Sequence, residues 1–437
     1  MSKSADAISR GIVVSVAGNI APPLAAFASA PILAQALGVE GRGAAAAGAA
    51  PMLLAMCALT VGMPEAITYY VAKRGPDPAV LRRGLIYLAV AGVVGTVALV
   101  VLPMHLIPDQ PVLITLMTIS ACALMPALLL SGLRGYAAGL GQWNVIALER
   151  LIGAGTRLVA VAGLAIANRL TVTSATVTIA ATTFIGALAY LRLRHGRSVE
   201  WKASESAREL RLMKFALGIW PGALVGTLLS RLDQTLLIGL SSVREIGLYV
   251  VAVSISEVTL VFNSAVRDVM FSNESEEQSS ERLMKAARAS TLMTVAASAV
   301  VAMGCIWGIP ILFGPDFSDA VSVTMVLLVG VVLGTPGSVA GAGLSARGRP
   351  GLRSCSLGVA LVINIGVLVA LSPALGAFGA AIATVAGNAI AGYANVIWMK
   401  LLWDMPISGF MTIRKSDAVE LCRSIKGVAS RWKHTPA

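Results

Sequence analysis

The stretch GLIYLAVAGVVGTVALVVLPM, Gly84–Met104, has 21 residues and no charged side chain. A helix rises roughly 1.5 Å per residue, so about 20 residues cross the hydrocarbon core of a bilayer. Lipid offers no partners to backbone N–H and C=O groups, so a lipid-exposed segment must satisfy them internally as a helix. The stretch is therefore predicted to be a transmembrane helix.

Apolar stretches of similar length recur along the whole chain of 437 residues. They predict an all-α, polytopic membrane protein with about twelve transmembrane helices. The first six are expected at residues 11–37, 44–72, 84–104, 111–133, 144–167 and 172–191. The second six are expected at residues 213–240, 246–266, 287–312, 320–345, 354–372 and 376–402.

The overall composition excludes a soluble protein. Hydrophobic residues make up 57% of the chain, charged residues only 13%, and the mean hydropathy is +0.80. Soluble domains carry roughly 25% charged residues. The net charge of +12 would suggest a nucleic-acid partner in a soluble protein, but here the basic residues are concentrated in the loops of one side. Nucleic-acid binding is therefore not expected.

Loop charges fix the predicted orientation. With the N-terminus in the cytoplasm, 28 lysines and arginines lie in inside segments, and three (Arg42, Arg169 and Arg244) lie in outside loops. Basic residues favour the cytoplasmic side, so both termini are predicted to be cytoplasmic, in a bacterial inner membrane. The first apolar segment, from Gly11 to Leu37, is too long for the core of a signal peptide and is expected to remain as a helix.

The polar stretch Arg192–Lys214 divides the predicted helices into two sets of six. We expect an N-lobe at residues 1–200, a C-lobe at 201–402 and a cytoplasmic tail at 403–437. The sequences VEGRG (Val39–Gly43) and VREIG (Val243–Gly247) share their first Val and last Gly at an offset of 204 residues. Six helices per set predict a parallel repeat with a pseudo-twofold axis along the membrane normal. Residues 416–433 are predicted to form a basic amphipathic helix on the membrane surface.

The sequence shows no enzyme or cofactor motif. The five cysteines lie far apart, and the three histidines have no metal-ligand spacing. No Walker A, GxSxG or HExxH sequence is present. We therefore expect no metal, cofactor or enzymatic activity, and we expect an ion gradient, the membrane potential or a substrate gradient to supply the energy.

Three arginines inside predicted spans are candidate substrate-binding residues. Arg157 is near the middle of the fifth span, Arg150 is two turns away on the same face, and Arg231 is in the seventh span. Guanidinium groups stay charged and bind phosphate oxygens in pairs, so these arginines could line a cationic cavity. The alternative is that each arginine pairs with an internal acid and holds two helices together.

Four carboxylates inside predicted spans are candidates for coupling to H⁺ or Na⁺, because a carboxylate in a site of low dielectric constant either takes up a proton or binds a cation. They are Glu257, Asp233, Glu65 and Glu149. The alternative is an ion pair or, for Glu149, a water-exposed helix end.

Prolines mark possible hinges, since proline removes a backbone hydrogen bond and kinks a helix. Pro22 and Pro23 interrupt the first span, and Pro221 is near the start of the seventh. A static kink is the alternative. The Gly-rich stretch Gly337–Gly343 is expected to serve close helix packing.

Three segments of the sequence resemble polysaccharide transporters, including O-antigen flippases of the Wzx type, in the multidrug/oligosaccharidyl-lipid/polysaccharide (MOP) exporter superfamily. They are AQALGVEGRGAAAAGAAPMLLAMCALTVGMPEAITYYVAKR (Ala34–Arg74), RLDQTLLIGLSSVREIGLYVVAVSISE (Arg231–Glu257) and ALGAFGAAIATVAGN (Ala374–Asn388). The resemblance implies two six-helix lobes around a V-shaped cavity lined by the first and seventh helices. It also implies a cationic cavity for a pyrophosphate-linked headgroup, with the polyprenyl tail left in lipid.

The sequence therefore favours an alternating-access flippase for lipid-linked oligosaccharide or polysaccharide precursors. The expected partners are a polyprenyl-linked glycan, the bilayer and a possible coupling H⁺ or Na⁺, and we expect a monomer. The rival with the same fold is a cation-coupled drug or metabolite antiporter. A glycan polymerase or ligase would need a large outside loop, and the predicted outside loops have only a few residues each.

Overall fold

A computed structural model describes residues 2–192, 205–276 and 279–412. These residues form α-helices, two short 3₁₀ helices (Leu188–Arg192 and Pro315–Phe317) and no β-strand. The all-α class is therefore confirmed. The helices of the N-terminal half are α1 (Ser2–Thr60), α2 (Met63–Arg74), α3 (Pro78–Leu106), α4 (Pro111–Cys122), α5 (Leu124–Gly139), α6 (Trp143–Ile166) and α7 (Val172–Ala187). They are followed by α8 (Glu205–Leu240), α9 (Val243–Glu276), α10 (Ser280–Phe313), α11 (Ala320–Ala346), α12 (Pro350–Trp403) and α13 (Ile407–Met411).

Every predicted span coincides with helix in the described part of the chain. Among the described residues, eight continuous helical segments are long and apolar enough to cross a membrane. Two helices, α1 and α12, have 59 and 54 residues, more than twice what one crossing needs. Each is interrupted at a glycine with positive φ, Gly38 (φ 68°) and Gly376 (φ 55°). The chain is a multi-pass membrane protein.

The chain divides into two compact units. The first is Met1–Val251 with Pro310–Ser318, and the second is Ala252–Ile309 with Asp319–Ala437. The first unit extends beyond the predicted N-lobe because α8 packs on α1 and α2. The indole N–H of Trp220 donates to the Ala58 carbonyl at 2.9 Å, and the ring of Phe215 stacks on that of Tyr69 with centroids 4.3 Å apart. The predicted lobe boundary at residue 200 remains a prediction.

The two matching pentapeptides of the sequence lie against each other within the first unit. A Cβ at Gly43 would be 1.9 Å from the Val243 carbonyl oxygen, and a Cβ at Gly247 would be 2.2 Å from the Val39 carbonyl oxygen. The two contacts are reciprocal, as expected where a twofold axis relates two segments: Gly43 meets Val243, the counterpart of Val39, and Gly247 meets Val39. We call the contact of Val39 and Gly43 with Val243 and Gly247 the glycine clasp. Only glycine lets the two backbones approach this closely.

The second unit also packs through small residues. A Cβ at Gly337 would be 2.0 Å from Gly392 Cα, so α11 and the second half of α12 touch through their backbones. The Asn395 amide donates to the Gly337 carbonyl at 3.1 Å. The expected role of the Gly337–Gly343 stretch in close helix packing is confirmed at these residues.

Some expectations about the helices need correction. The only non-helical residue inside α1 is Gly38, so the chain continues as helix through Pro22 and Pro23. Pro221 lies inside α8, as expected. The role of Pro22, Pro23 and Pro221 as hinges stays a prediction. Helix α1 resumes directly after Gly38 because a single glycine with positive φ turns the chain without a loop. Arg42, expected in an outside loop, is therefore in a helix. The predicted tail helix at 416–433 lies outside the described residues.

Candidate substrate cavity of the first unit

A cavity of about 420 Å³ opens among α1, α2, α5 and α6. Its size is within the range of ligand sites, roughly 300–1,000 Å³. Its wall combines apolar residues with hydroxyl, carboxylate and guanidinium groups. The lining residues are Gly18, Met56, Thr60, Pro64, Glu65, Thr68, Ser131, Arg134, Gly135, Ala138, Trp143, Ile146, Ala147 and Arg150.

Small residues bring the four helices close enough to enclose the cavity. A Cβ at Gly18 would be 2.7 Å from Ala147 Cα, so α1 and α6 touch there. A Cβ at Gly135 would be 2.4 Å from the Pro64 carbonyl oxygen, so α5 touches the start of α2. The Thr68 hydroxyl donates to the Gly135 carbonyl at 2.9 Å and reinforces that contact. Larger side chains at these glycines would push the walls apart.

A partly buried ion pair fixes one cationic group of the wall. The Arg134 guanidinium donates through Nη2 to Glu149 Oε1 at 2.9 Å and through Nε to Oε2 at 3.2 Å. The Tyr190 hydroxyl donates to the same carboxylate at 3.4 Å. Only 7% of the Glu149 side chain is exposed, against 32% of Arg134. For Glu149, the structure therefore supports the ion-pair interpretation over a water-exposed helix end.

Arg134 is a site residue that the sequence interpretation missed. It was assigned to an inside loop because the fourth span was expected to end at residue 133. Helix α5 continues to Gly139 and carries Arg134 into the cavity wall. The uncharged residues Gly135–Gly139 that follow it in the sequence are the signal that could have placed it inside a helix.

Two predicted residues with different expected roles meet in this cavity. Arg150, a substrate-binding candidate, and Glu65, an ion-coupling candidate, both line its wall. Arg150 follows Glu149 on α6. Its guanidinium is attracted by the Glu149 carboxylate and repelled by the Arg134 guanidinium. Within the described chain, the Arg150 guanidinium forms no hydrogen bond or ion pair with a carboxylate. It can therefore offer its N–H donors to a ligand in the cavity.

The other predicted charges lie elsewhere. Arg157 is two turns beyond Arg150 on α6 and does not line the cavity. Asp233 is buried on α8, where it accepts hydrogen bonds from the Tyr249 hydroxyl and the Gln234 N–H. Arg231 and Glu257 are half-buried, and each interacts with neighbouring groups. The expectation that Arg150, Arg157 and Arg231 form one cationic wall thus stays a prediction. Among the described residues, no group of three or more His, Cys, Asp or Glu side chains could hold a metal ion.

Comparison with solved structures identifies the fold. An inward-facing multidrug-resistance MATE family transporter of the MOP superfamily matches with a TM-score of 0.71 and 16% identity, covering 90% of this chain and 98% of its own. An outward-facing multidrug-resistance MATE family transporter of the same superfamily matches with a TM-score of 0.63 and 18% identity. The match covers 93% of this chain and 96% of the transporter's own chain. A MOP superfamily transporter from Pyrococcus furiosus matches with a TM-score of 0.62 and 16% identity, covering 92% of this chain and 96% of its own. The reverse polarity of that transporter's binding pocket suggests that it has a different function.

No protein-family model and no curated protein sequence matches the chain. At these identities the likeness establishes the fold, which is that of MATE transporters. The fold is therefore the one implied by the sequence resemblance to the MOP superfamily.

Proposed function

We propose that the protein is an alternating-access membrane transporter that moves a lipid-linked oligosaccharide or polysaccharide precursor across the bacterial plasma membrane. The transporter class is supported by a fold shared with MATE transporters along about nine-tenths of the chain. The anionic, phosphate-bearing substrate is supported by the cavity of the first unit.

The observation that carries the substrate assignment is Arg150. A charged side chain inside a membrane is costly and generally marks a functional site or an ion pair. The carboxylate beside it, Glu149, is held by two hydrogen bonds from Arg134. Arg150 therefore faces the cavity with its hydrogen-bonding groups available, and a diphosphate would satisfy them in paired geometry. A cavity of about 420 Å³ is large enough for a diphosphate with an attached sugar, while a polyprenyl tail would remain in lipid.

A cation-coupled drug or metabolite antiporter is the second candidate. Glu65 favours it, because this carboxylate lines the same cavity and could bind a proton, a sodium ion or a cationic substrate. Two of the neighbouring structures are multidrug-resistance transporters. The two candidates predict opposite critical residues: Arg150 for an anionic lipid-linked glycan and Glu65 for a cation.

Complementation of glycan export tests the proposal, with every variant compared at matched expression. We expect Arg150→Ala to abolish complementation and Arg150→Lys to impair it, because lysine keeps the charge and loses the paired donors. Arg169→Ala is the matched control, since Arg169 is exposed in the loop after α6. Full activity of Arg150→Ala would contradict the proposed function.

A further inference from the structure

The cavity of the first unit carries a balanced pair of charges. Three charged side chains line it, namely Glu65, Arg134 and Arg150. Arg134 is neutralised by Glu149, which leaves one carboxylate and one guanidinium. Within the part of the chain that the structure describes, neither Glu65 nor Arg150 forms a hydrogen bond or an ion pair. The remaining charges of the wall therefore sum to zero, which differs from the purely cationic cavity that the sequence resemblance implies.

Helix α5 anchors the two charged residues separately. Glu65 follows Pro64, whose carbonyl oxygen would lie 2.4 Å from a Cβ at Gly135. Arg150 follows the acid that accepts both hydrogen bonds from Arg134. Arg134 and Gly135 are consecutive residues of α5, and consecutive residues of a helix point about 100° apart. The carboxylate and the guanidinium therefore extend from backbone points that are held by different sides of the same helix.

A ligand that fills this cavity must satisfy both charges. It displaces water from the wall, and a charge that loses its water without gaining a partner costs free energy. A ligand with one charge would pair with one group and leave the other without a partner. A purely anionic ligand would also be repelled by Glu65, and repulsion of this kind is a source of specificity. A zwitterionic ligand would form charge-assisted hydrogen bonds with both groups.

The size and wall of the cavity favour a sugar ring as the carrier of the two charges. The cavity has about 420 Å³, and its wall includes the exposed indole ring of Trp143. A sugar ring can hold an ammonium group and a phosphate group at a fixed separation. A rigid ligand of this kind loses little conformational freedom on binding. Within the proposed glycan substrate, an amino sugar beside the diphosphate has this pair of charges.

We propose that Glu65 is a specificity residue that selects a substrate whose first sugar carries a free, protonated amino group. The ammonium group of this sugar donates to the Glu65 carboxylate while the phosphate accepts from Arg150. The proposal rests on the proposed function and narrows its substrate class from a glycan in general to an amino sugar. The substrate itself then supplies the positive charge that the sequence alone assigned to a coupling ion at Glu65.

Ligand-dependent thermal unfolding of the full-length protein in phosphatidylcholine nanodiscs tests the proposal. The first probe is glucosamine 6-phosphate, which carries its ammonium and phosphate groups at opposite ends of one sugar ring. The second is glucose 6-phosphate, in which a hydroxyl group replaces the ammonium group. We expect the wild type to bind the amino sugar phosphate at least about tenfold more tightly, because a hydrogen bond between charged groups contributes about that much. The N-acetylated form of the first probe, whose amide is neutral, should lose this advantage.

Variants assign the preference to one residue. Glu65→Gln should abolish the preference for the amino sugar phosphate, whereas Arg150→Gln should weaken the binding of both probes. Asp109→Asn is the matched control for loss of a carboxylate, since Asp109 is exposed in the loop after α3, and it should keep the preference of the wild type. The comparison of the three ligands on the wild type needs no variant, so it tests the proposal even where Glu65→Gln does not fold.

Equal affinity of the wild type for the amino sugar phosphate and its hydroxyl analogue, or binding of neither, would overturn the proposal, as would a preference that persists in Glu65→Gln. If glycan export is nevertheless lost in Arg150→Ala, the proposed function stands and only the amino-sugar assignment fails. Conversely, a preference that depends on Glu65, combined with full export by Arg150→Ala, would support the amino-sugar site and contradict the proposed function. Stabilisation by sodium chloride over choline chloride that Glu65→Gln removes, without any preference among the sugar phosphates, would assign Glu65 to a coupling ion and overturn the proposal.

Discussion

The glycine clasp offers a direct way to perturb the transport cycle. In Gly43→Ala, the new methyl group would lie 1.9 Å from the Val243 carbonyl oxygen, whereas ordinary contacts begin at 3.4 Å. The backbone of α1 or α9 must therefore retreat by about 1.5 Å along that line. Overpacking of this kind costs about 1–3 kcal/mol. The cost applies only while the clasp is closed, so Gly43→Ala should favour an open clasp.

The expected magnitude follows from that free energy. A difference of about 1–3 kcal/mol changes a two-state population by roughly 5- to 150-fold. Ile246, in the first turn of α9, is only 1% exposed and can report on opening. We introduce Ile246→Cys after replacing the native cysteines by serine and measure labelling by a membrane-impermeant thiol reagent. The labelling rate should rise at least about fivefold in Gly43→Ala.

Gly155→Ala is the matched control, because a Cβ at Gly155 meets nothing within 4 Å. It should leave the labelling rate unchanged. Gly247→Ala should act like Gly43→Ala, since its methyl group would lie 2.2 Å from the Val39 carbonyl. An unchanged rate in both clasp variants, in protein that elutes as a monodisperse species, would refute the view that the clasp opens.

The ion pair, the helix packing and the topology give three further expectations. In a denaturation assay, Glu149→Ala should lower the free energy of unfolding by about 1–3 kcal/mol. This is less than for a fully buried pair, because the Arg134 side chain is 32% exposed. The double variant Glu149→Ala/Arg134→Ala should recover part of the loss, because it leaves no unpaired charge. Gly337→Ala should cost about 1–3 kcal/mol by the same assay, whereas Gly366→Ala, with open space around it, should cost nothing. A reporter fused at His195 should show a cytoplasmic location, and a periplasmic signal would contradict the predicted topology.

The sequence predicted the fold well because the bilayer imposes one strong rule: a crossing segment must be a long apolar helix. Stretches such as Gly84–Met104 follow that rule plainly, and α3 contains this one whole. The two pentapeptides that share Val and Gly likewise predict a twofold relation between the halves of the chain. Their mutual contact could not be predicted, because it depends on how two distant glycines pack and not on either segment alone.

The sequence predicted the site only in part. Hydropathy does not show whether a charged residue near the end of an apolar stretch lies in the helix or in the following loop. Arg150 and Glu65 interrupt apolar stretches, which predicts a functional role for both, and both line the cavity. The expected span boundaries place Arg42 and Arg134 in loops, because each residue lies just outside an expected span. A one-residue break at Gly38 and an extended α5 place both inside helices instead. Pairing of Arg134 with Glu149, 15 residues later, depends on the turn between α5 and α6.

Translocation by the purified protein in proteoliposomes is the sharpest test of the proposed flippase activity. A fluorescent polyprenyl diphosphate sugar is placed in the inner leaflet, and its appearance in the outer leaflet is measured beside a cationic dye in matched vesicles. We expect the diphosphate lipid to be moved, Arg150→Ala to stop this movement, and the dye not to be transported. Dye transport driven by a proton or sodium gradient and dependent on Glu65, with no movement of the diphosphate lipid, would contradict it.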